Sequence, residues 1–244
     1  QRQMCIRDST LYDIETQIPA FFHITEASVH DSKVMNEIPY EPGSYYIFDR
    51  GYNNFKMLYK IHQIEAYFVV RAKKNLQYKS IKWKRRLPKN VFSDASILLT
   101  GFYPKQYYPE PLRLVKYWDE EQEREFTFIT NAMHISALQV AELYKNRWQV
   151  ELFFKWLKQH LKIKRFWGTT ENAVRIQIYA AICTYCLVAI IQHDMQLDRS
   201  TYEVLQILSI SLTDKTHLRD LFDKTKFQND KERFGPNGPS LFNF

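Results

Sequence analysis

The sequence predicts an α/β fold, and the order of three adjoining segments leads to that class. Residues 44–48 form a run of aromatic and β-branched residues, 55–63 have helical spacing, and 66–71 are apolar. A strand, a helix and a strand in this order are typical of a mostly parallel sheet, which binds its ligands at the carboxyl ends of the strands. Asp49 comes directly after the first of these strands. It is therefore the first candidate for a functional carboxylate.

The segments on either side complete the predicted outline. Residues 11–14 and 20–25 read as two short strands around a polar turn, and 27–38 have helical spacing. From 76 to 130 the pattern changes to strand-like runs separated by Pro, Gly and Asp, which predicts an all-β insertion. Lysines and arginines are frequent between 79 and 86. They could follow a DNA backbone or simply keep the surface soluble, and the sequence leaves both readings open.

Helical structure is predicted to resume at Ser136, a plausible N-cap, and to continue without a break through residues 144–158. An α-helix advances about 100° per residue, so Tyr144, Arg147, Glu151 and Lys158 would share one narrow face. The same arc takes in three further cations: Lys155, Lys162 and Arg165. A basic stripe with one carboxylate suits the cleavage of a phosphodiester, because cations hold phosphates and an acid holds a metal. The alternative is an ordinary amphipathic helix with a solvated face.

The spacing Tyr-x2-Arg-x3-Glu-x6-Lys, from Tyr144 to Lys158, resembles the YREK signature of DDE transposases of the insertion-sequence-four family. The stretch YYIFDRGY around Asp49 is similar to the second motif of that family. The resemblance implies a ribonuclease H-like catalytic core interrupted by the all-β insertion and followed by C-terminal helices. Its predicted segments are 9–75 for the first part of the core, 76–130 for the insertion, 131–223 for the second part and helices, and 224–244 for a loose tail.

The resemblance also implies the chemistry of the site. Asp49 and Glu151 would be the catalytic acids and would hold Mg²⁺ or Mn²⁺, for which oxygen ligands are suited. Tyr144, Arg147 and Lys158 would contact phosphates of the element end. Further DNA contacts are expected from Arg50, Lys155 and Lys162, although a structural pairing is equally open for Arg50. An aromatic residue of the insertion, Trp83 or Trp118, would receive a flipped base, and a core position is the default for both.

The N-terminus departs from the family pattern. Residues 1–8 fit poorly with the rest of the chain and resemble a translated transposon-end adaptor from a sequencing library, so they are expected to be non-native. The alternative is a genuine charged tail. Asp8, followed by Ser and Thr, imitates the first catalytic motif of the family, but the segment after it resembles one that normally comes some tens of residues later. The genuine first Asp is therefore expected upstream.

Composition limits the class of protein. A 45% hydrophobic and 16% aromatic composition indicates a folded rather than a disordered chain. The net charge of +7 suits nucleic acid, although so small an excess is also common in proteins that do not bind it. The apolar run 176–192 is expected to be a buried helix rather than a membrane span, with Cys183 and Cys186 in the core.

The family resemblance implies a transposase fragment that acts on double-stranded DNA as a homodimer in a synaptic complex, in the bacterial cytoplasm and at the nucleoid when bound to DNA. Its reaction would be hydrolysis at the element ends followed by strand transfer. The alternatives are an inactive DNA-binding fragment that lacks the first Asp, or a ribonuclease H-like nuclease without strand transfer.

Overall fold

The computed structural model describes residues 6–26, 34–161, 163, 166–168, 170–211 and 215–222. The strands are β1 (Ile6–Tyr12), β2 (Pro19–Glu26), β3 (Tyr45–Phe48), β4 (Tyr67–Arg71), β5 (Tyr78–Trp83), β6 (Val91–Leu99), β7 (Leu112–Asp119) and β8 (Arg124–Thr130). The helices are α1 (Phe55–Gln63), α2 (Phe102–Tyr107), α3 (Ala137–Lys145), α4 (Trp148–His160), α5 (Glu171–Asp194) and α6 (Thr201–Ile210). The chain divides into two compact units, Gln1–Phe154 and Lys155–Phe244, and the division lies inside α4.

The first unit contains a two-stranded antiparallel sheet, β1–β2, and a six-stranded sheet in the order β3-β4-β8-β7-β6-β5. In the larger sheet only β3 and β4 are parallel, whereas all the other neighbouring strands are antiparallel. The prediction of a mixed α/β architecture is confirmed. The prediction of a mostly parallel sheet is wrong, because β5 to β8 pair antiparallel in chain order and β8 then lies antiparallel beside β4.

The segment predicted as an all-β insertion continues the sheet of the core. β8 pairs with β4 in a register that joins Val70 to Ile129, and β7, β6 and β5 follow outward from it. The segment also contains a helix, α2, so the expectation that it is all β is wrong at Phe102–Tyr107. Apolar and polar residues do not alternate between Phe102 and Tyr107 as they do in a typical strand, and this was the signal available in the sequence. In the structure Phe102, Tyr103 and Tyr107 are exposed.

Helices cover both faces of the six-stranded sheet. On one face α1 buries Met57, Leu58 and Ile61 in a core that includes alternate residues of β3, β4, β6 and β7. On the other face α3 packs against Val69, Val115 and Phe128. Phe68, Val69 and Val70 of β4 are all fully buried, since they point alternately into the two cores. The unbroken apolar run predicted for a buried strand is thus confirmed.

The second unit contains the long helix α5 and the shorter α6, which pack together through Val188 and Val204. By length and composition α5 could cross a membrane, but core helices of soluble proteins pass the same test, so this single candidate does not indicate a membrane protein. Cys183 on α5 is exposed, and Cys186 is half-buried. The expectation that both cysteines lie in the core is therefore wrong, because the buried side of the helix is formed by the residues one position before each of them.

Candidate active site

The carboxyl ends of β3 and β4 are joined by a network of side-chain hydrogen bonds. After β3 the chain makes a short 3₁₀ turn, Arg50–Tyr52, with Asp49 at its N-cap position. Nε of Arg50 donates to the carbonyl oxygen of Ala72 at 3.1 Å. The side-chain Nδ2 of Asn53 donates to the backbone carbonyl oxygens of Arg50 and Arg71, both at 2.8 Å. These bonds fix the position of Asp49, and they give Arg50 the structural pairing that the sequence left open.

Asp49 is half-buried and its carboxylate is held in the ionised form. The Tyr144 hydroxyl donates a hydrogen bond of 3.0 Å to Oδ1 of Asp49. Burial acts to raise the pKa of Asp49, but the hydrogen bonds from the Arg50 backbone and from Tyr144, together with the charges of Arg147 and Arg71, lower it overall. The charged carboxylate is the form that binds a divalent cation.

Tyr144 is buried rather than solvated. Its side chain is 6% exposed, and its ring packs against Phe126 and Phe128 with centroid separations of 5.7 and 4.7 Å. Burial and the neighbouring Asp49 carboxylate raise the pKa of Tyr144 to about 12, so the hydroxyl keeps its proton and remains a donor. The sequence predicted that this hydroxyl would bind a DNA phosphate. In the structure it donates to the carboxylate of Asp49.

The helix predicted to run unbroken through 144–158 is in fact two helices. α3 ends at Lys145 and α4 begins at Trp148. Across the break, the Arg147 N–H bonds to the Tyr144 carbonyl at 3.1 Å and the Val150 N–H to the Arg147 carbonyl at 3.3 Å. These three-residue bonds wind the chain more tightly than an α-helix, so a count of 100° per residue does not hold across the junction. The prediction of one continuous helix is wrong.

Arg147 lies at this junction and connects the two sides of the site. Its Nη2 donates to Oε1 of Glu151 at 2.7 Å, and its guanidinium carbon lies 5.8 Å from the centre of the Tyr144 ring. Burial acts to lower the pKa of Arg147, but Glu151, Tyr144 and Asp49 raise it overall, so the guanidinium stays charged. Glu151 is in the first turn of α4 and its side chain is 66% exposed. Tyr144 and Arg147 thus each hold one of the two candidate acids.

A cavity beside this cluster is rich in cationic groups. Its lining includes four cationic residues, Arg71, Arg124, Lys145 and Arg147, and one carboxylate, Asp119, which lies 4.0 Å from the Lys145 amine. Nε of Arg71 and Nε of Arg147 are buried and have no hydrogen-bond partner in the described structure. The other nitrogens of these guanidinium groups are the donors that could meet an anion, because the two Nε atoms themselves have almost no accessible surface.

Sequence reasoning missed Arg71 and Arg124. Both guanidinium groups lie over the ring of Phe126, at 5.0 and 4.5 Å from its centroid. Burial and repulsion from Arg50 and Arg124 lower the pKa of Arg71, so an anion in the cavity would relieve that repulsion. The available signal for Arg71 was its position at the carboxyl end of β4. Arg124 is the first residue of β8, and the pairing of β8 with β4 brings it near Arg71.

The donor set suits a magnesium ion that is shared with substrate. Mg²⁺ is commonly held by one or two carboxylates plus phosphate and water oxygens. Asp49 and Glu151 offer two carboxylates, each with one oxygen not used in the side-chain bonds described above. No group of three or more His, Cys, Asp or Glu residues occurs among the described residues. The side chain of Asp8 lies outside them.

The remaining predicted site residues have different positions. Lys155 and Lys158 are exposed on α4, in the second unit, and Lys162 lies outside the described residues. Trp83, one of the two candidates for receiving a flipped base, is 64% exposed at the end of β5. Trp118 is only partly exposed, and its ring centre lies 6.4 Å from that of Phe92.

Replacing Tyr144 with Phe is expected to destabilise the first unit by about 1–2 kcal/mol at pH 7, because the variant lacks a hydrogen bond to a charged group. The pKa of Asp49 is lowered in the folded chain, so this contribution is fully present above the unfolded value of about 3.9. It disappears as the pH falls through the folded pKa. Urea unfolding between pH 7 and pH 3 measures both effects. Tyr103→Phe on the exposed helix α2 is the control, and an equal loss in both variants would contradict the assignment.

Comparison with known proteins gives a consistent set of relatives. Residues 1–187 match the family model described as the transposase DDE domain. A protein of Sinorhizobium fredii is 35% identical over 86% of this chain and 59% of its own length. One from Geobacillus stearothermophilus is 31% identical over 72% of this chain and 46% of its own, and one from Synechocystis is 25% identical over 83% and 58%. All three carry provisional names as transposases, the last two of insertion sequence elements. The chain thus spans roughly half the length of these relatives.

Proposed function

This chain belongs to the DDE-domain transposase family, and we propose that it carries the part of the site that cleaves DNA at the ends of an insertion sequence and transfers the freed strand to target DNA. The proposed acids are Asp49 and Glu151. The reaction is Mg²⁺-dependent hydrolysis of a phosphodiester, which releases a 3′-hydroxyl. That hydroxyl then attacks a phosphodiester of the target, forms a new phosphodiester and displaces the 3′-oxygen of the target strand as a free 3′-hydroxyl.

The observation that carries the proposal is the hydrogen bond from Tyr144 to Asp49. These residues are 95 positions apart in the chain, and each belongs to a different motif. Arg147 extends the same cluster to Glu151 at 2.7 Å. An Asp that merely ends a turn has no need of a buried tyrosine and nearby arginines. A site that must keep a carboxylate charged beside a phosphate does need them.

Each group of the cluster has a definite task in this proposal. Asp49 and Glu151 would hold Mg²⁺ or Mn²⁺, which activates the attacking oxygen and stabilises the leaving oxygen when it is bound. Arg71 and Arg147, which line the cavity, would bind the phosphate next to the scissile bond through their guanidinium groups. Tyr144 and the Arg50 backbone position the Asp49 carboxylate. Further contacts to the DNA backbone are assigned to four cationic side chains: Arg124, Lys155, Lys158 and Lys162.

The architecture that we propose for the whole protein is a ribonuclease H-like core. Asp49 follows β3, the edge strand of the sheet, and β3 is parallel to β4. The strands β5–β8 would then be an insertion that extends this core before α3 returns to it. The placement of α1 and α3 on opposite faces of one sheet supports this reading.

Transposition joins two ends, so we propose a homodimer that acts on double-stranded DNA at the bacterial nucleoid, in the cytoplasm. The helix α5 exposes Ile176, Leu187 and Ile190 at spacings that fall along one side of a helix. This exposed apolar side supports a contact with a second protomer.

Replacing Leu187 with Glu is expected to shift a dimer toward monomer in analytical ultracentrifugation. A mass that stays the same in the variant and the parent would exclude this face as the contact.

The test of the proposed function is cleavage and joining on DNA that carries the inverted repeats of the element. The 244-residue chain and a form extended by its upstream genomic sequence are compared, each with Mg²⁺ and with excess chelator. Chelation is expected to abolish nicking. Glu151→Gln is expected to lower it by more than about 100-fold, because even the partners of metal ligands are worth about 10- to 100-fold. Glu142→Gln, an exposed change on α3, is the matched control.

Three outcomes separate this proposal from its alternatives. End-specific nicking with strand joining supports the transposase. Nicking without joining, and without preference for the repeats, would indicate a nuclease. Salt-sensitive binding with no cleavage in either form would indicate a DNA-binding fragment.

A further inference from the structure

One short segment of this protein carries a strong local excess of positive charge. Between residues 72 and 93 there are eight lysines and arginines and no aspartate or glutamate. The net charge of the whole chain is only +7, so the rest of the sequence is slightly negative. The strand β5 and the segments joined to it therefore carry a local excess of positive charge.

β5 is the outermost strand of the six-stranded sheet, opposite the edge formed by β3. Every residue from Tyr78 to Arg86 is exposed. Lys84 is paired with Asp94 at 2.9 Å, and Lys89 with Glu120 at 3.1 Å. Within the described part of the chain, the other cations between Tyr78 and Arg86 form no ion pair. These unpaired cations are Lys79, Lys82, Arg85 and Arg86.

Large apolar side chains lie between these cations. Tyr78, Ile81 and Trp83 are 37%, 50% and 64% exposed. Edge strands are often protected from unwanted pairing by one or two lysines, which explains a charge on such a strand. Protection does not explain an exposed tryptophan, isoleucine and tyrosine, because these residues favour association. Cations alternating with exposed aromatic residues are the pattern of a nucleic-acid surface.

We propose that the basic strand, Tyr78–Arg86, is a second DNA-binding surface that holds the double-stranded DNA flanking the cleavage site. The inference rests on the proposed function for its choice of duplex DNA. Five strand spacings separate β3 from β5, which is about 24 Å across the sheet. At about 3.4 Å per base pair, DNA reaching from Asp49 to the basic strand would extend about seven base pairs.

The test measures binding of the whole chain to a duplex of unrelated sequence in chelator, where no cleavage occurs. The variant replaces Lys79, Lys82 and Arg86 with Gln and leaves the Lys84–Asp94 pair intact. The control removes the same charge from positions elsewhere in the first unit: Lys56→Gln, Lys60→Gln and Lys105→Gln, all exposed. The dissociation constant of each is followed by fluorescence anisotropy as a function of salt concentration.

The slope of log Kd against log salt is expected to fall by about 3 in the basic-strand variant, since each substituted cation neutralises about one phosphate, and to change by less than about 1 in the control. Equal slopes in the two variants would overturn the proposal. Binding of the same proteins to phosphatidylserine vesicles is measured in parallel. The proposal would also be overturned if the basic-strand variant lost affinity for these vesicles and kept its affinity for DNA. Glu151→Gln separates the proposed cleavage function from the proposed role of the basic strand. This variant is expected to lose cleavage and to keep the parent's slope of log Kd against log salt.

Discussion

Replacing Asp94 with Ala is expected to lower the free energy of unfolding of the first unit by about 3–5 kcal/mol, since it leaves the buried cation of Arg113 without its partner. Arg113 donates to both oxygens of Asp94, at 2.7 and 2.8 Å, and the two side chains are 3% and 5% exposed. Arg113 also donates to the carbonyls of Ala132 and Ile135, at 3.1 and 2.6 Å. Urea unfolding followed by circular dichroism gives the value.

The matched control is a surface pair. Lys89 and Glu120 are 84% and 58% exposed, so Lys89→Ala is expected to cost less than about 1 kcal/mol. The pKa of Asp94 is lowered, because the hydrogen bonds and charges of Arg113 and Lys84 outweigh its burial. The stabilisation is therefore present above about pH 4 and disappears as the pH falls through the folded pKa. A loss of stability in Asp94→Ala no larger than in Lys89→Ala would contradict the role of this pair.

This pair also bears on the site. Ile135 precedes Ser136, whose side chain caps α3 together with Gln139. By holding the carbonyl of Ile135, Arg113 fixes the start of the helix that carries Tyr144. The buried pair on β6 and β7 thus contributes to the position of the Tyr144 hydroxyl, which donates to Asp49.

Replacing Asp49 with Asn is expected to reduce end cleavage by more than about 100-fold, because a neutral amide is a poor ligand for Mg²⁺. DNA binding is expected to be kept or strengthened. The change removes a negative charge next to Arg71 and Arg147, so the cluster becomes more attractive to phosphate. Single-turnover cleavage with Mg²⁺, and binding measured in chelator, report the two effects separately.

The control for this change is Asp194→Asn, an exposed Asp at the end of α5. Cleavage within tenfold of the parent in Asp49→Asn would remove Asp49 from the catalytic group. A fall in binding parallel to the fall in cleavage would mean that the change disturbs the cavity of arginines, and Tyr144→Phe would then be expected to show the same parallel decrease.

Much of the local structure was predictable from the residues alone. The strand before Asp49, the helix at Phe55–Gln63 and the cap at Ser136 follow from side-chain periodicity and from the hydrogen-bonding capacity of a serine. These features depend on contacts within a few positions of the chain. The motif around Asp49 and the spacing from Tyr144 to Lys158 likewise led to a transposase, and the family match confirms that class.

Other features depended on contacts between distant segments. The sequence determined the class of fold, the position of Asp49 at a strand end and the concentration of charge near β5. Only the tertiary structure decided that β5–β8 extend the core sheet, that the helix breaks at Asn146 and Arg147, and that the Tyr144 hydroxyl binds Asp49. Strand pairing and burial are set by partners tens of residues away. A periodic pattern records which residues an element exposes, but not which neighbour covers them.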